Sequence, residues 1–437
     1  LKKLLVLMKT KLLVLVSVIS ALLSCSPARK IGQWARKDVI NDSALKSAHV
    51  GISVFDPATA SFLYNYQGDK YFVPASNTKL PTCYAAMKYL GDSLPGLRYQ
   101  QRGNDLYIIP TGDPTFLHPE FSKQRVYEFL KNTTLHLNLS LSAWKDERWG
   151  SGWSWNDYSE SYMPERSAFP VYGNVVRFSG GNSLQVFPSF FKQGVEIKDP
   201  ASNLSSFNVN RDIASNRFVV QGQAQGKPVE TPYFTANSQL ALDLLSDTLH
   251  RQVLLSNEQL TADKVIYSQP TDSMLKPMMH RSDNFFAEQS LMMVSQNVLG
   301  EMNDAHIINR LLQTDLKDLP QKPHWVDGSG LSRYNLFTPQ DMVTILNKMR
   351  LEFGMVRMKE ILPTGNEGTL TNYYKNETGY LFAKTGTLSG VVAFSGFLFT
   401  KKNKLFIVSV LVNNHQASAT AVRRAVEKFV EQLRDKN

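Results

Sequence analysis

Pro74-Ala75-Ser76-Asn77-Thr78-Lys79 is the stretch on which the reading of this chain turns. A serine and a lysine three residues apart share one face of a helix, so hydroxyl and amine can meet. A serine at a helix start also lies in the partial positive charge that stabilises developing negative charge. The pattern S-x-x-K is not specific alone, because it recurs at Ser43, Ser142, Ser189 and Ser273. Two features set Ser76 apart. Pro74-Ala75 can fix how the chain enters the helix, and the apolar spacing after it (Leu80, Cys83, Tyr84, Met87, Leu90) predicts a helix from Ser76 to Leu90, ended by Gly91.

Two further motifs extend the arrangement. Ser282-Asp283-Asn284 is the only S-D-N in the chain and precedes an apolar-rich helix predicted over 283–299. Lys384-Thr385-Gly386 is the only K-T-G and lies on a strand predicted over 379–384. Strands at 390–399 and 404–412 and an amphipathic helix at 416–434 (Val422, Ala425, Val426, Phe429, Leu433) close the chain. Any one motif alone is compatible with a solvated turn. Together, on helix start, loop and strand, they form a serine-lysine constellation suited to acyl transfer.

Around these motifs the texture varies. HVGISVFD from His49, then PATA, then SFLYNY alternate apolar residues about an Asp-Pro turn, which predicts a hairpin. Residues 98–260 contain Gly112-Asp113-Pro114, many Asn and Ser, and Trp144, Trp149, Trp153 and Trp155, suggesting one or two β-rich inserted modules. The tryptophans suit core packing or ligand contact equally. A helix predicted over 236–252 is expected to return the chain to the first domain.

Composition bounds the function. With 437 residues, 43% hydrophobic and 11% aromatic, the chain can bury large cores in two or three domains. Its 48 Lys+Arg exceed 38 Asp+Glu, but Lys2, Lys3, Lys9 and Lys11 crowd an acid-free leader, so the remainder is only mildly basic and no nucleic-acid partner is expected. No two of the eight histidines make a helical pair, and neither H-E-x-x-H nor a P-loop occurs, so neither a metal nor a cofactor is expected. Gly328-Ser329-Gly330 lacks the third glycine of a dinucleotide loop, Arg333 standing there, and no G-x-S-x-G elbow exists.

The N-terminal stretch reads as an address. Residues 12–23, LLVLVSVISALL, are too few to span a hydrocarbon core of roughly 30 Å but suit the apolar region of a secretory signal. Leu22-Leu23-Ser24-Cys25 resembles the bacterial lipobox, whose cysteine is lipidated; Met8 is a plausible alternative start. Residues 1–25 are therefore expected to be removed or processed, leaving Cys25 on the membrane and Cys83 without a disulfide partner. Ser26, not aspartate, comes after Cys25, which favours the outer membrane of a Gram-negative cell and a periplasmic location.

Taken together, the motifs resemble penicillin-binding proteins and serine β-lactamases, and within them the D-alanyl-D-alanine carboxypeptidase/endopeptidases, the class C low-molecular-mass penicillin-binding proteins. PASNTK, TGDPT at 111–115, WSWNDY at 153–158, HRSDNFFAE at 280–288, DGSGLSRYN at 327–335 and AKTGTLSGV at 383–391 carry the resemblance over nearly all of the mature chain. So does the long separation of Ser76 from Ser282, since this branch places extra domains between those motifs. The resemblance implies an α/β (α+β) transpeptidase-like fold, an antiparallel sheet flanked by helices, over 28–97 and 261–437. It implies two β-rich inserted domains, one over 98–178 with 229–260 and a smaller one over 179–228, with an outer module trimmed.

It also implies roles. Ser76 is the nucleophile, Lys79 its base, Ser282 a proton relay and Asn284 a clamp on Lys79 and the substrate amide. Lys79 must be desolvated and pushed toward neutrality, with Lys384 supplying the nearby charge. Lys384 and Thr385 would meet a substrate carboxylate, Gly386 would let substrate lie along the strand, and the Ser76 and Thr387 amides would form the oxyanion hole. Asp157, Tyr162 and Arg333 match positions that hold a diaminopimelyl side chain in relatives, with Ser389 beside them; alternatively Asp157 and Arg333 simply hold loops. The partners implied are peptidoglycan stem peptides and β-lactam inhibitors. A β-lactamase or D-amino-peptide esterase on the same scaffold, and a non-catalytic wall-binding lipoprotein, are the alternatives; no dedicated deacylation base stands out, and the six intact motif residues weigh against a pure binder.

Overall fold

The computed structural model describes residues 27–180, 183–198, 207–222, 227–236, 238–258, 260, 262 and 264–437; the leader and Cys25 lie outside the described residues. Helix α1 (Pro27–Ala35) precedes the antiparallel hairpin of β1 (His49–Asp56) and β2 (Ser61–Tyr66). A 3-10 turn over Ala75–Thr78 then leads into α2 (Lys79–Tyr89). The predicted helix thus begins as a tighter turn, and α2 itself starts at Lys79. Pro81 is tolerated because it falls in the first helical turn, where no N–H is needed.

The chain next leaves for the insert. It runs through β3 (Ser93–Arg102), β4 (Asp105–Pro110), α3 (Arg125–Asn132) and β5 (His136–Ser140). A series of short strands comes next: β6 (Val175–Ser179), β7 (Gln185–Phe187), β8 (Val195–Lys198), β9 (Asn208–Arg211), β10 (Phe218–Gln221) and β11 (Val229–Pro232). Then come α4 (Ser238–Leu249), β12 (Val253–Ser256) and β13 (Lys264–Pro270). These make a five-stranded sheet in the order β12-β5-β4-β3-β13 and two three-stranded sheets, β11-β6-β7 and β8-β10-β9.

Two expectations shift here. Helix α4 does not return the chain to the first domain, because the strands after it pair within the insert: β12 with β5, and β13 with β3. The limits expected at 97/98 and 260/261 accordingly do not coincide with the edge of this sheet, whose outermost pairing joins Ser93 to Pro270.

The return is made by α5 (Thr271–His280), α6 (Asn284–Leu299), α7 (Asp304–Gln313) and α8 (Pro339–Ile361). Asp283 caps α6 by accepting from the Phe286 amide at 2.9 Å, and Gly300, in the left-handed region, ends it. Strands β14 (Leu381–Leu388), β15 (Val391–Phe399) and β16 (Leu405–Asn413) rejoin the first hairpin as an antiparallel sheet, β14-β15-β16-β1-β2, and α9 (Ala419–Lys436) closes the chain.

Period-two alternation on β16 builds two layers. Phe406, Val408, Val410 and Val412 pack with Val422, Ala425, Phe429 and Leu433 of α9 and Ile31 of α1. Ile407 faces the opposite layer, where α2, α5, α6 and α8 bury Tyr84, Met278, Phe286 and Leu346. On that inner face the polar residues Ser395 and Ser409 are fully buried and bonded to each other at 2.9 Å. Asn77 meets them: its amide oxygen accepts from Ser395 Oγ at 2.7 Å while its nitrogen donates to the Lys384 carbonyl at 3.0 Å. The turn carrying Ser76 is thereby fastened to the strand carrying Lys384. β14 is the edge strand of this sheet, and its first residues are covered by the 363–364 segment, the Ala383 amide donating to the Pro363 carbonyl at 3.1 Å.

Candidate active site

In the 3-10 turn that holds Ser76, residues i and i+3 eclipse one another, and the Lys79 amine donates to Ser76 Oγ at 3.1 Å. It also donates to Asn284 Oδ1 at 2.6 Å and to the Ser329 carbonyl at 2.7 Å. An ammonium has three protons, so Lys79 has a partner for each. Burial pushes its amine down from the ordinary lysine value to about 8, while Asp327, Glu288 and Asp283 pull in the opposite direction.

Lys384 is also fully buried and donates to Ser282 Oγ at 2.9 Å and to the Thr385 carbonyl at 2.6 Å. Burial first, and then the charge of Lys79, hold its amine well below the usual lysine range. For both lysines burial is the first cause of the downward shift, and the repulsion between two buried ammonium groups, which is mutual, acts against charging both at once. Ser282 bridges toward Lys384 from a left-handed backbone, φ 65°. A non-glycine residue there carries local strain of roughly 1–3 kcal/mol.

Two glycines set how closely these parts approach. A Cβ on Gly386 would lie 2.7 Å from the Pro74 carbonyl and 2.9 Å from the Ser76 amide nitrogen. The side-chain space at Gly386 is therefore filled by the backbone of the Ser76 turn, which lets β14 lie against that turn. Gly330, at φ 85°, would place a Cβ 2.0 Å from the Ala75 carbonyl, so no side chain fits.

A buried acidic shell holds the 327–333 loop. Asp327 accepts from the amides of Gly330 (2.8 Å) and Ser332 (2.7 Å), from Asn335 Nδ2 (2.7 Å) and from Trp153 Nε1 (3.0 Å). Glu288 accepts from the Ser329 amide at 2.7 Å, and burial, reinforced by Asp327, pushes its carboxyl up to about 8. Behind it the fully buried Arg166 pairs with Asp304 (2.5 Å), Asp146 (2.8 Å) and Glu288 (3.4 Å). Sequence reasoning missed Asn77, Glu288, Arg166 and the Ser329 carbonyl. Glu288 left a signal: it stands one turn after Asn284 on α6, on the same face.

The outer candidates flank this centre. Thr385 Oγ1 donates to Thr369 Oγ1 at 2.7 Å, and Thr387 Oγ1 accepts from Arg423 at 2.6 Å. The Tyr162 carbonyl accepts from Asn284 Nδ2 at 2.8 Å; burial, and then a hydrogen bond with Asp157, raise its phenol to about 12. Arg333 is exposed and donates to the Ser389 carbonyl at 2.8 Å, beyond the end of β14. The loops bearing Asp157 and Arg333 are joined through Trp153 and Asp327, and through Gly152, whose side-chain position is taken by the Tyr334 ring. Among the tryptophans, Trp153 has this packing role, whereas Trp155 is 70% exposed. Among the described residues no group of three or more His, Cys, Asp and Glu is placed to hold a metal ion.

The profile of the D-Ala-D-Ala carboxypeptidase 3 (S13) family matches residues 35–433. A D-alanyl-D-alanine carboxypeptidase of Actinomadura sp. (strain R39) is 27% identical, the alignment covering 93% of this chain and 87% of that protein. The D-alanyl-D-alanine carboxypeptidase DacB of Haemophilus influenzae is 25% identical over 85% of this chain and 86% of its own length. The crystal structure of penicillin binding protein 4 from Haemophilus influenzae superposes with a TM-score of 0.70 at 20% identity, covering 92% of this chain and 98% of that one. It has the same fold.

The depressed Lys79 amine has a pH consequence. If neutral Lys79 is the base for Ser76, acylation by a fluorescent penicillin should be slow where Lys79 is protonated, rise as pH climbs through about 8, and level off above it. Stopped-flow acylation rates from roughly two pH units below that value to roughly two above it check this; a rate falling as pH rises through the same value would remove Lys79 as the base.

Proposed function

Because the chain belongs to the D-Ala-D-Ala carboxypeptidase 3 (S13) family, we infer that it is a serine DD-peptidase hydrolysing D-alanyl-D-alanine ends or D-alanyl cross-links of peptidoglycan through a Ser76 acyl-enzyme. The observation that carries this reading is the Lys79 amine, shared between Ser76 Oγ and Asn284 Oδ1.

Neutral Lys79 takes the Ser76 proton as Oγ bonds to the carbonyl carbon of the penultimate D-Ala. The oxygen of that carbonyl, now negative, is held by the Ser76 and Thr387 amides. The carbon–nitrogen bond then breaks, and the leaving nitrogen takes a proton from Ser282 Oγ, which regains one from the Lys384 ammonium. Water cleaves the ester to the carboxylic acid and the Ser76 hydroxyl, after which Lys79 gives up the proton it gained and Lys384 regains the one it lost by exchange with solvent. A substrate carboxylate at Thr385 favours the protonated form of Lys384, whose charge in turn favours neutral Lys79. A β-lactam carbonyl takes the place of the peptide carbonyl in the first step, which makes the enzyme a penicillin target.

Asp157, Tyr162 and Arg333 are proposed to line the subsite for the third-residue side chain, Asp157 facing an amine and Arg333 a carboxylate. The link from Tyr162 to Asn284 and the seat of Arg333 beside β14 support that placement. Upstream, the basic and apolar leader ending at Cys25 supports export and lipid anchoring, with the outer membrane favoured by Ser26. Among the described residues no helix is long and apolar enough to cross a membrane.

Two measurements check this. Digestion of purified peptidoglycan by the chain lacking residues 1–25 should release D-Ala or convert cross-linked dimers to monomers, and Ser76→Ala should lose both this activity and penicillin labelling. Arg333→Ala should lower kcat/KM on diaminopimelyl peptides about tenfold, as expected for one charge-assisted contact, with labelling of Ser76 retained. Equal losses on both ligands would make Arg333 a loop support. In cells, Cys25→Ser should move the protein from membranes to the soluble periplasmic fraction, and unchanged membrane association would refute the lipid anchor.

A further inference from the structure

A polar groove leads from Ser282 into the inserted sheets. Its first part, a cavity of about 270 Å³, opens on Ser282 and Asn284. Its second, of about 620 Å³, runs past Asn208, Asn210 and Lys227. The two parts share Ser161, Arg177 and Glu230, so they adjoin. Joined, they fall within the range of a ligand site, roughly 300–1,000 Å³, and exceed what a single D-Ala requires.

Arg177 on β6 stands where the two parts meet. It faces Glu230 across the β6–β11 pairing, and its Nε donates to Glu230 Oε1 at 2.6 Å. Its Nη1 is buried and has no hydrogen-bond partner among the described residues. Buried donors are nearly always paired, and a guanidinium with one edge engaged presents its remaining N–H groups to a planar anion. Arg177 lines both cavities, so its guanidinium is a cation that a carboxylate lying in the groove would meet.

The direction of the groove says which carboxylate. Ser282 protonates the leaving nitrogen in the mechanism proposed for this site, so the part of the substrate beyond the scissile bond departs on the Ser282 side. When a cross-link is cut, that leaving group is a complete peptide strand, polar throughout and carrying free carboxylates. We propose that this groove binds the leaving strand of cross-linked peptidoglycan, with Arg177 engaging one of its carboxylates, and that it gives the enzyme its preference for cross-links over D-alanyl-D-alanine ends. The proposal rests on the DD-peptidase reading and specifies its substrate.

The test compares kcat/KM for a purified cross-linked muropeptide dimer and for a monomeric pentapeptide, in the parent enzyme and in Arg177→Ala and Ser161→Trp. Ser161 is exposed at the junction, so the tryptophan fills the groove without disturbing a packed core. The dimer-to-monomer ratio should fall about tenfold in both variants, the size of one charge-assisted contact. The Arg177→Ala effect should vanish on a dimer whose leaving-strand carboxylates are amidated. Fluorescent penicillin labelling of Ser76 reports separately that the catalytic centre is intact, and if Arg177→Ala does not fold, Ser161→Trp carries the test. An unchanged ratio in labelled Ser161→Trp, or a parent that releases D-Ala but leaves dimers uncut, overturns the groove and leaves the DD-peptidase reading standing. A parent that neither labels nor acts on either substrate overturns that reading instead.

Discussion

A lysine ammonium buried from water is costly unless each of its protons is accepted, and the fold around Lys79 is organised to meet that demand. Its three acceptors come from the turn before α2, from the start of α6 and from the 327–333 loop. None of these is near the others in sequence. Bringing them together fixes where the helical layer must sit on the sheet, and it places Ser76, Ser282 and Lys384 around one space. The acids behind the site serve the same end: Glu288 holds the Ser329 amide, so that the carbonyl of the same residue faces Lys79, and Asp327 gathers the rest of the loop.

The insert is part of this arrangement. The Tyr162 carbonyl receives the second end of Asn284, Trp153 braces Asp327, and Arg166 pairs with Glu288, Asp146 and Asp304. Each belongs to a segment between the first two catalytic motifs. The segment between β5 and β6 therefore supplies walls to the cleft, and Tyr162 lies two hydrogen bonds from Lys79 through Asn284. That is a physical reason for an otherwise compact fold to carry so long an excursion before α6.

Much of this was legible in the amino-acid sequence. The hairpin of β1 and β2, the last three strands and the closing helix arise from strict apolar alternation and helical spacing, which local sequence reports well. The three motifs were visible because each is a short, contiguous pattern. What was not legible is long-range: β13 pairs with β3 across the whole insert, which moved the expected boundaries, and α4 gave no local sign of which sheet would come after it. Asn77 hides between the two residues of the S-x-x-K motif, its role set by Ser395 and the Lys384 carbonyl far along the chain. Gly386 was recognised, but only the fold reveals that the Ser76 backbone lies against it. The order of influence on the two lysines likewise depends on depth of burial, which a motif does not encode.

The central claim is that burial, outweighing the acceptors around it, lowers the Lys79 amine enough to make it a base near neutral pH. It is tested most directly by following the ¹³Cε resonance of Lys79 in lysine-labelled protein through a pH titration, with Lys79→Arg to assign the signal. The account predicts a midpoint near the value of about 8 that burial imposes. A midpoint at the ordinary lysine value of roughly 10.4 would contradict it, leaving the Ser76 proton without the acceptor on which the mechanism depends.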